Sequence, residues 1–129
     1  MDSLPSPDIY DPWRDEHGQI DPQRVAAHLE RLGRAWAQLD AAAKALEKTT
    51  GTVLAQITVS LIDGGTKATE AKLRATASPE YEDHINAALV ARSEANMAKV
   101  RWEAGKAGFE AMRTAEATHR AEMASTGRT

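Results

Sequence analysis

Cysteine is absent from this 129-residue chain, which excludes disulfides, thiolate metal sites, cysteine nucleophiles and thiol redox chemistry together. Aromatic residues are scarce, with one Phe, two Tyr and three Trp. Proline is missing between Pro22 and Pro79 and again from everything after Pro79. No run approaches the roughly 18 uninterrupted apolar residues of a membrane span, and the first residues are acidic where a secretory signal needs a basic and then apolar opening. A soluble, cytoplasmic protein with no membrane partner is therefore expected. What is abundant is alanine, at 25 residues. Small side chains bury little area each, at about 25 cal/mol per Å², so one domain with a modest core is expected rather than a roomy substrate pocket.

Charge is unevenly spread. The chain carries a net -3, yet residues 1–21 hold six acids against Arg14 alone, which leaves the remainder slightly basic. Pro5, Pro7, Pro12 and Gly18 prevent a continuous helix there, so 1–21 reads as an extended acidic arm. Within it Ile9, Tyr10 and Trp13 either cover the protein's own helices or dock on a basic, apolar groove of a partner. Asp21-Pro22 is a helix start, with Asp to cap free amides and Pro at the first helical position. From there Val25, Leu29, Leu32, Trp36, Leu39, Ala43, Leu46, Thr50, Val53 and Ile57 follow alternating steps of four and three, the signature of helices packed side by side. Thr49-Thr50-Gly51-Thr52 lowers helix propensity, so a kink or a short extended stretch over 53–62 is an open alternative. Asp63-Gly64-Gly65 ends the element.

A short helix is predicted over 67–75. Ser78-Pro79 then repeats the cap-and-proline signal ahead of a helix running to about Met123. Its inner seam comprises Tyr81, Ala88, Ala95, Trp102, Phe109 and Met123, with His84, Ala91, Ala98, Gly105, Met112 and His119 beside them. The expected fold is all-α: a long antiparallel helical hairpin of coiled-coil type over 22–124, each long helix about 60 Å at ~1.5 Å per residue, with a disordered tail at 125–129. A second face of the last helix is also apolar, with Val90, Met97, Val100 and Ala104 among its members. A lone hairpin leaves that face in water, so a homo-oligomeric bundle is expected through it.

Motifs of chemistry are few. No phosphate-binding glycine loop, nucleophile elbow or metalloprotease helix signature occurs. The four histidines are scattered without ligand spacing, so neither a catalytic residue, a metal nor a cofactor is assigned, and a non-enzymatic protein is expected. One constellation stands out: Arg92, Lys99, Lys106, Arg113 and Arg120 recur every seven residues, about 10.5 Å apart on a helix. Such a column either tracks phosphates or an acidic partner, or flanks the core and pairs with acids across the hairpin, where Asp40 and Glu47 stand at the corresponding edge.

The stretch Asn96 to Met123, NMAKVRWEAGKAGFEAMRTAEATHRAEM, resembles a succession that closes small alanine-rich helical proteins encoded in temperate bacteriophage genomes. The shared elements stand at Ala98 to Glu103, Phe109 to Ala111, Arg113-Thr114, Glu116 to Thr118 and Arg120 to Met123. Genes of that kind look like neighbours of recombination and replication genes. The resemblance implies a bacterial host cell and an accessory role in DNA recombination or replication, with single-stranded DNA or a phage or host DNA-metabolism protein as partner of the basic column. The alternative is a protein-interaction module, such as an inhibitor of a host defence or nucleic-acid enzyme, docking through the acidic arm.

Overall fold

A computed structural model describes residues 12–127, and it is all-helical: α1 (Pro22–Asp63), α2 (Ala68–Thr76) and α3 (Pro79–Thr126). No strand occurs among the described residues, only an isolated antiparallel bridge between Arg14 and Ile20. The contacts divide the chain into two compact units, Met1–Arg34 with Lys99–Thr129, and Ala35–Ala98.

The helix boundaries follow the local chemistry. The Asp21 carboxylate accepts the Gln23 amide at 2.9 Å, and Pro22 occupies the first helical position, where its missing N–H has no role. α1 ends where Gly65 takes a φ of +101°, a conformation that costs glycine nothing and lets its amide reach the Ile62 carbonyl at 2.9 Å. At the start of α3 the Ser78 hydroxyl accepts the Tyr81 amide at 3.3 Å. Residues 53–62 are helical, not extended, and α1 runs unbroken through Thr49 to Thr52. The hydroxyls of Thr49 and Thr50 donate to the carbonyls of Ala45 and Leu46, each at 3.0 Å, so both threonines are satisfied inside the helix. Val53 and Ile57 turn inward just beyond them.

In the unit Ala35–Ala98 the interior is made of small side chains. Ala43 of α1, Ala71 and Ala75 of α2, and Ala88, Ala95 and Ala98 of α3 are buried, and no larger apolar residue of this unit is. Leu39, Leu46, Val53 and Ile57 are half-buried around them. In the other unit Val25 is buried, and two glycines set the helix separation. A Cβ at Gly33 would lie 3.1 Å from the Trp102 ring, and one at Gly105 would lie 3.1 Å from a Leu32 methyl carbon, so both side chains occupy space that glycine vacates.

Three expectations change. The inner seam of α3 stops at Met112: residues 113–127 are all exposed, and Met123, at 62% exposure, and His119 face solvent. The helix nevertheless continues to Thr126, past the expected end at 124, its hydroxyl donating to the Glu122 carbonyl at 3.0 Å. The described end of the arm is also not extended. Asp15 closes a turn by accepting the amides of His17 and Gln19 on its carboxylate at 2.8 and 3.0 Å, with Gly18 at φ +74°. Those hydrogen bonds, first that from Gln19, hold the Asp15 carboxyl below its ordinary range.

Candidate functional site

The heptad column of cations begins in the unit Ala35–Ala98 with Arg92. Its guanidinium donates to Asp40 Oδ1 at 2.7 Å and, through Nη2 and Nε, to the Glu47 carboxylate at 2.6 and 3.2 Å. Planar, fixed donors suit this fork geometry, in which one cation satisfies acids two turns apart on α1. Asp40 also takes Lys44 at 3.0 Å. Both carboxyls are held below their ordinary range, in each case chiefly by the hydrogen bonds from Arg92. Both acids of the expected cross-helix edge thus converge on a single cation.

The remaining column lies in the other unit. Lys106 places its ammonium 3.8 Å from the Trp102 ring centroid, close enough for cation–π attraction. Arg113 sits 5.8 Å from the Phe109 ring and 3.5 Å from Glu110. Lys99 and Arg120 are exposed. Trp13, from the arm, packs at a tilt against Phe109 at 5.4 Å and His28 at 6.1 Å between ring centroids, while Arg14 reaches the Met112 sulfur at 3.6 Å and Glu116 at 3.9 Å. This aromatic is therefore applied to the protein's own helices. Ile9 and Tyr10, the other two docking candidates, lie outside the described residues.

Of the expected interface, Val90 is 58% exposed, Met97 54% and Val100 64%, and Ala104 is exposed as well. Sequence reasoning missed four more large apolar side chains that stand in solvent: Leu89, Val59, Ile62 and Leu73. Two of them had a signal. Lys44, Lys48, Thr52, Ala55, Val59 and Ile62 repeat at steps of four and three on the outer side of α1, a second seam with polar members in its first half. On α3, Asn86, Val90, Ser93 and Met97 keep the same spacing, and all are exposed. A helix with two such seams has two faces built for packing.

A groove of 610 Å³ is floored by Val53, Ile57 and Leu61, with Arg74 and Glu80 among its polar lining. Its polar groups are of both signs and do not converge on one point, so it presents no reactive constellation. His84 Nε2 lies 2.8 Å from the Leu46 carbonyl, which accounts for its imidazole as a hydrogen-bond donor. Among the described residues no three His, Asp or Glu side chains gather as metal ligands would, and no helix is long and apolar enough to cross a membrane. No family model, curated protein or solved structure matches the chain.

Proposed function

We propose that this chain is a non-enzymatic helical module that works by packing one of its helix faces against another protein. The observation that carries the reading is an inverted distribution of side-chain size. In the unit Ala35–Ala98 the fully covered positions are all alanine, whereas Val59, Ile62, Leu73, Leu89, Val90 and Met97 stand in solvent. Each large apolar side chain gains roughly 1.5–3 kcal/mol on full burial, so a surface that gathers them is one that another surface covers. Within this unit α1 and α3 are read as an antiparallel pair. In support, His84 meets Leu46 and Thr49, whereas Arg92, farther along α3, reaches back as far as Asp40 on α1.

A nucleic-acid reading has one observation in its favour: Lys106, Arg113 and Arg120 are exposed on successive heptads of α3. Under it the chain is an accessory of DNA recombination in a phage-infected bacterial cell, binding single strands through phosphates. Arg92 contributes little to that surface, because its guanidinium is engaged by two acids. Of the remaining cations of the column, Lys106, Arg113 and Arg120 each stand one turn from Glu110 or Glu116. Packing is therefore preferred.

Two variants separate the readings. Val90→Glu with Met97→Glu places charge on the apolar face, and helicity should survive because both positions are exposed. Light scattering should then show loss of any assembly the parent forms, with itself or with an added partner. Lys106→Gln with Arg113→Gln should leave assembly intact. If the second variant instead weakens binding to single-stranded DNA and flattens its dependence on salt, the nucleic-acid reading replaces this one.

A further inference from the structure

The bridge at Arg92 has an effect on the surface as well as on the interior. Between Pro79 and Ala98, Arg92 is the one Lys or Arg in α3, and it turns inward to Asp40 and Glu47. Glu80, Glu82, Asp83 and Glu94 are left exposed on that stretch of α3. On α1, Lys44 and Lys48 stand in the outer seam, Lys44 also bridging Asp40 at 3.0 Å, and Asp63 is exposed at the seam's far end. Within the unit Ala35–Ala98 the outer face of α3 is thus acidic over this stretch, whereas the first half of the α1 outer seam carries two lysines and no acid.

Apolar residues accompany both. On α3 the exposed Val90 and Met97 stand in the outer seam, with Asp83 and Glu94, eleven residues or about three turns apart, along one edge and Glu82 along the other. On α1 the seam runs from Lys44 and Lys48 through Thr52 and Ala55 to Val59 and Ile62, which are 56% and 42% exposed. A surface of 440 Å³ concavity opens there between Thr52, Ala55, Val59 and Asp63. Each helix thus offers a stripe at coiled-coil spacing, and the lysines that open the α1 stripe are opposite in sign to the acids beside the α3 stripe.

We infer that the occupant of the α3 outer face is the α1 outer face of a second copy of this chain. The inference rests on the packing-module reading and names its partner. Opposite charge selects this pairing over α3 on α3, which would bring Asp83 and Glu94 toward their own kind. Because each stripe recognises a different stripe, the contact is heterologous: a copy bound through its α3 stripe still offers its α1 stripe, and its partner still offers an α3 stripe, so association extends past two copies unless a ring closes.

Charge reversal tests this without dependence on any one variant's folding. One variant carries Lys44→Glu and Lys48→Glu, the other Glu82→Lys, Asp83→Lys and Glu94→Lys, each verified as helical by circular dichroism. In sedimentation velocity the wild-type chain should grow in size with concentration beyond a dimer. Each variant alone should associate more weakly on the order of tenfold or more, since both its stripes then carry one sign. An equimolar mixture of the two should associate again, because the acidic α1 stripe of one meets the basic α3 stripe of the other. A wild-type chain that stays monomeric at high micromolar concentration overturns the inference while leaving the packing module a different partner. Undiminished association of the Lys44→Glu, Lys48→Glu variant overturns it in favour of α3 on α3. A mixture of folded variants that stays apart overturns it as well.

Discussion

Arg92 joins the interior of its unit to its surface, and its chemistry makes a prediction about acid. The two carboxylates it binds have side chains 16% and 45% exposed, so the pairs are partly screened by solvent and the worth of each is small. The direction of the pH effect is nonetheless fixed. Asp40 and Glu47 are held below their ordinary values of 3.8 and 4.5, so the two carboxyl groups bind fewer protons in the folded chain than in the unfolded one. Their contribution is fully present above those ordinary values and is lost as pH falls through the lower folded ones. Arg92→Gln should therefore melt below the parent at neutral pH, and the gap should hold down to about pH 5 and close in more acid solution. Carboxylates unrelated to Arg92 titrate in both proteins and cancel in the difference. Thermal melts followed at 222 nm across this range measure it; a gap as wide at pH 3 as at pH 7 would show that Arg92 acts through packing of its stem and not through these acids.

At the scale of the helices, alanine decides how closely α1, α2 and α3 approach. Ala43, Ala71, Ala75 and Ala95 are each at 0% exposure, and a fully covered alanine between helices leaves no room for a longer side chain. Ala95→Leu should destabilise the unit by about 1–3 kcal/mol, because the added carbons force neighbours off their rotamers. Ala104→Leu, at an exposed position of the same helix, should change stability by less than about 0.5 kcal/mol. Urea denaturation distinguishes the two, and equal stability of Ala95→Leu and its parent would mean that the helices yield at this contact. Much of this was legible beforehand. Every position of the α1 seam, from Val25 to Ile57, is buried or half-buried, since a 4-3 spacing of apolar residues records a packing partner whatever its identity. Thr49 to Thr52 left the state of 53–62 open, because intrinsic propensity omits the hydroxyl bonds to Ala45 and Leu46 and the inward pull of Val53. The exposed end of α3 was not legible either. Its spacing continues through His119 and Met123, and whether a seam position is covered depends on residues distant in sequence. For the same reason the prolines pointed away from a helix over the arm, whose described residues 12–21 form turns, while the seat of Trp13 on Phe109 depended on a contact nearly a hundred residues away. The α3 column was readable as a spacing, but the convergence of Asp40 and Glu47 on Arg92 alone required the coordinates of both helices.

For the molecule as a whole, the balance between covered and uncovered apolar surface bears on how stability depends on concentration. A folded chain retains only a small surplus after conformational entropy, and alanine, with few atoms to bury, adds little to it per residue. Eight large apolar side chains among the described residues meanwhile remain 42% exposed or more. Association that covers part of that surface binds the folded form and not the unfolded one, so by mass action it adds stability. Once association is well above its dissociation constant, each tenfold rise in concentration contributes about 1.4 kcal/mol for a single contact. The wild-type melting temperature should therefore climb by several degrees over two decades of protein concentration. Val90→Glu with Met97→Glu should melt at one temperature throughout that range, because the face proposed to drive association then carries charge. The comparison also separates association from simple loss of stability. A variant that melts lower but keeps the wild-type slope has been weakened as a monomer, whereas one that loses the slope has lost its contact. A wild-type melt that is flat with concentration would mean that these side chains stay in water in the isolated chain, and that their cover comes from a different protein.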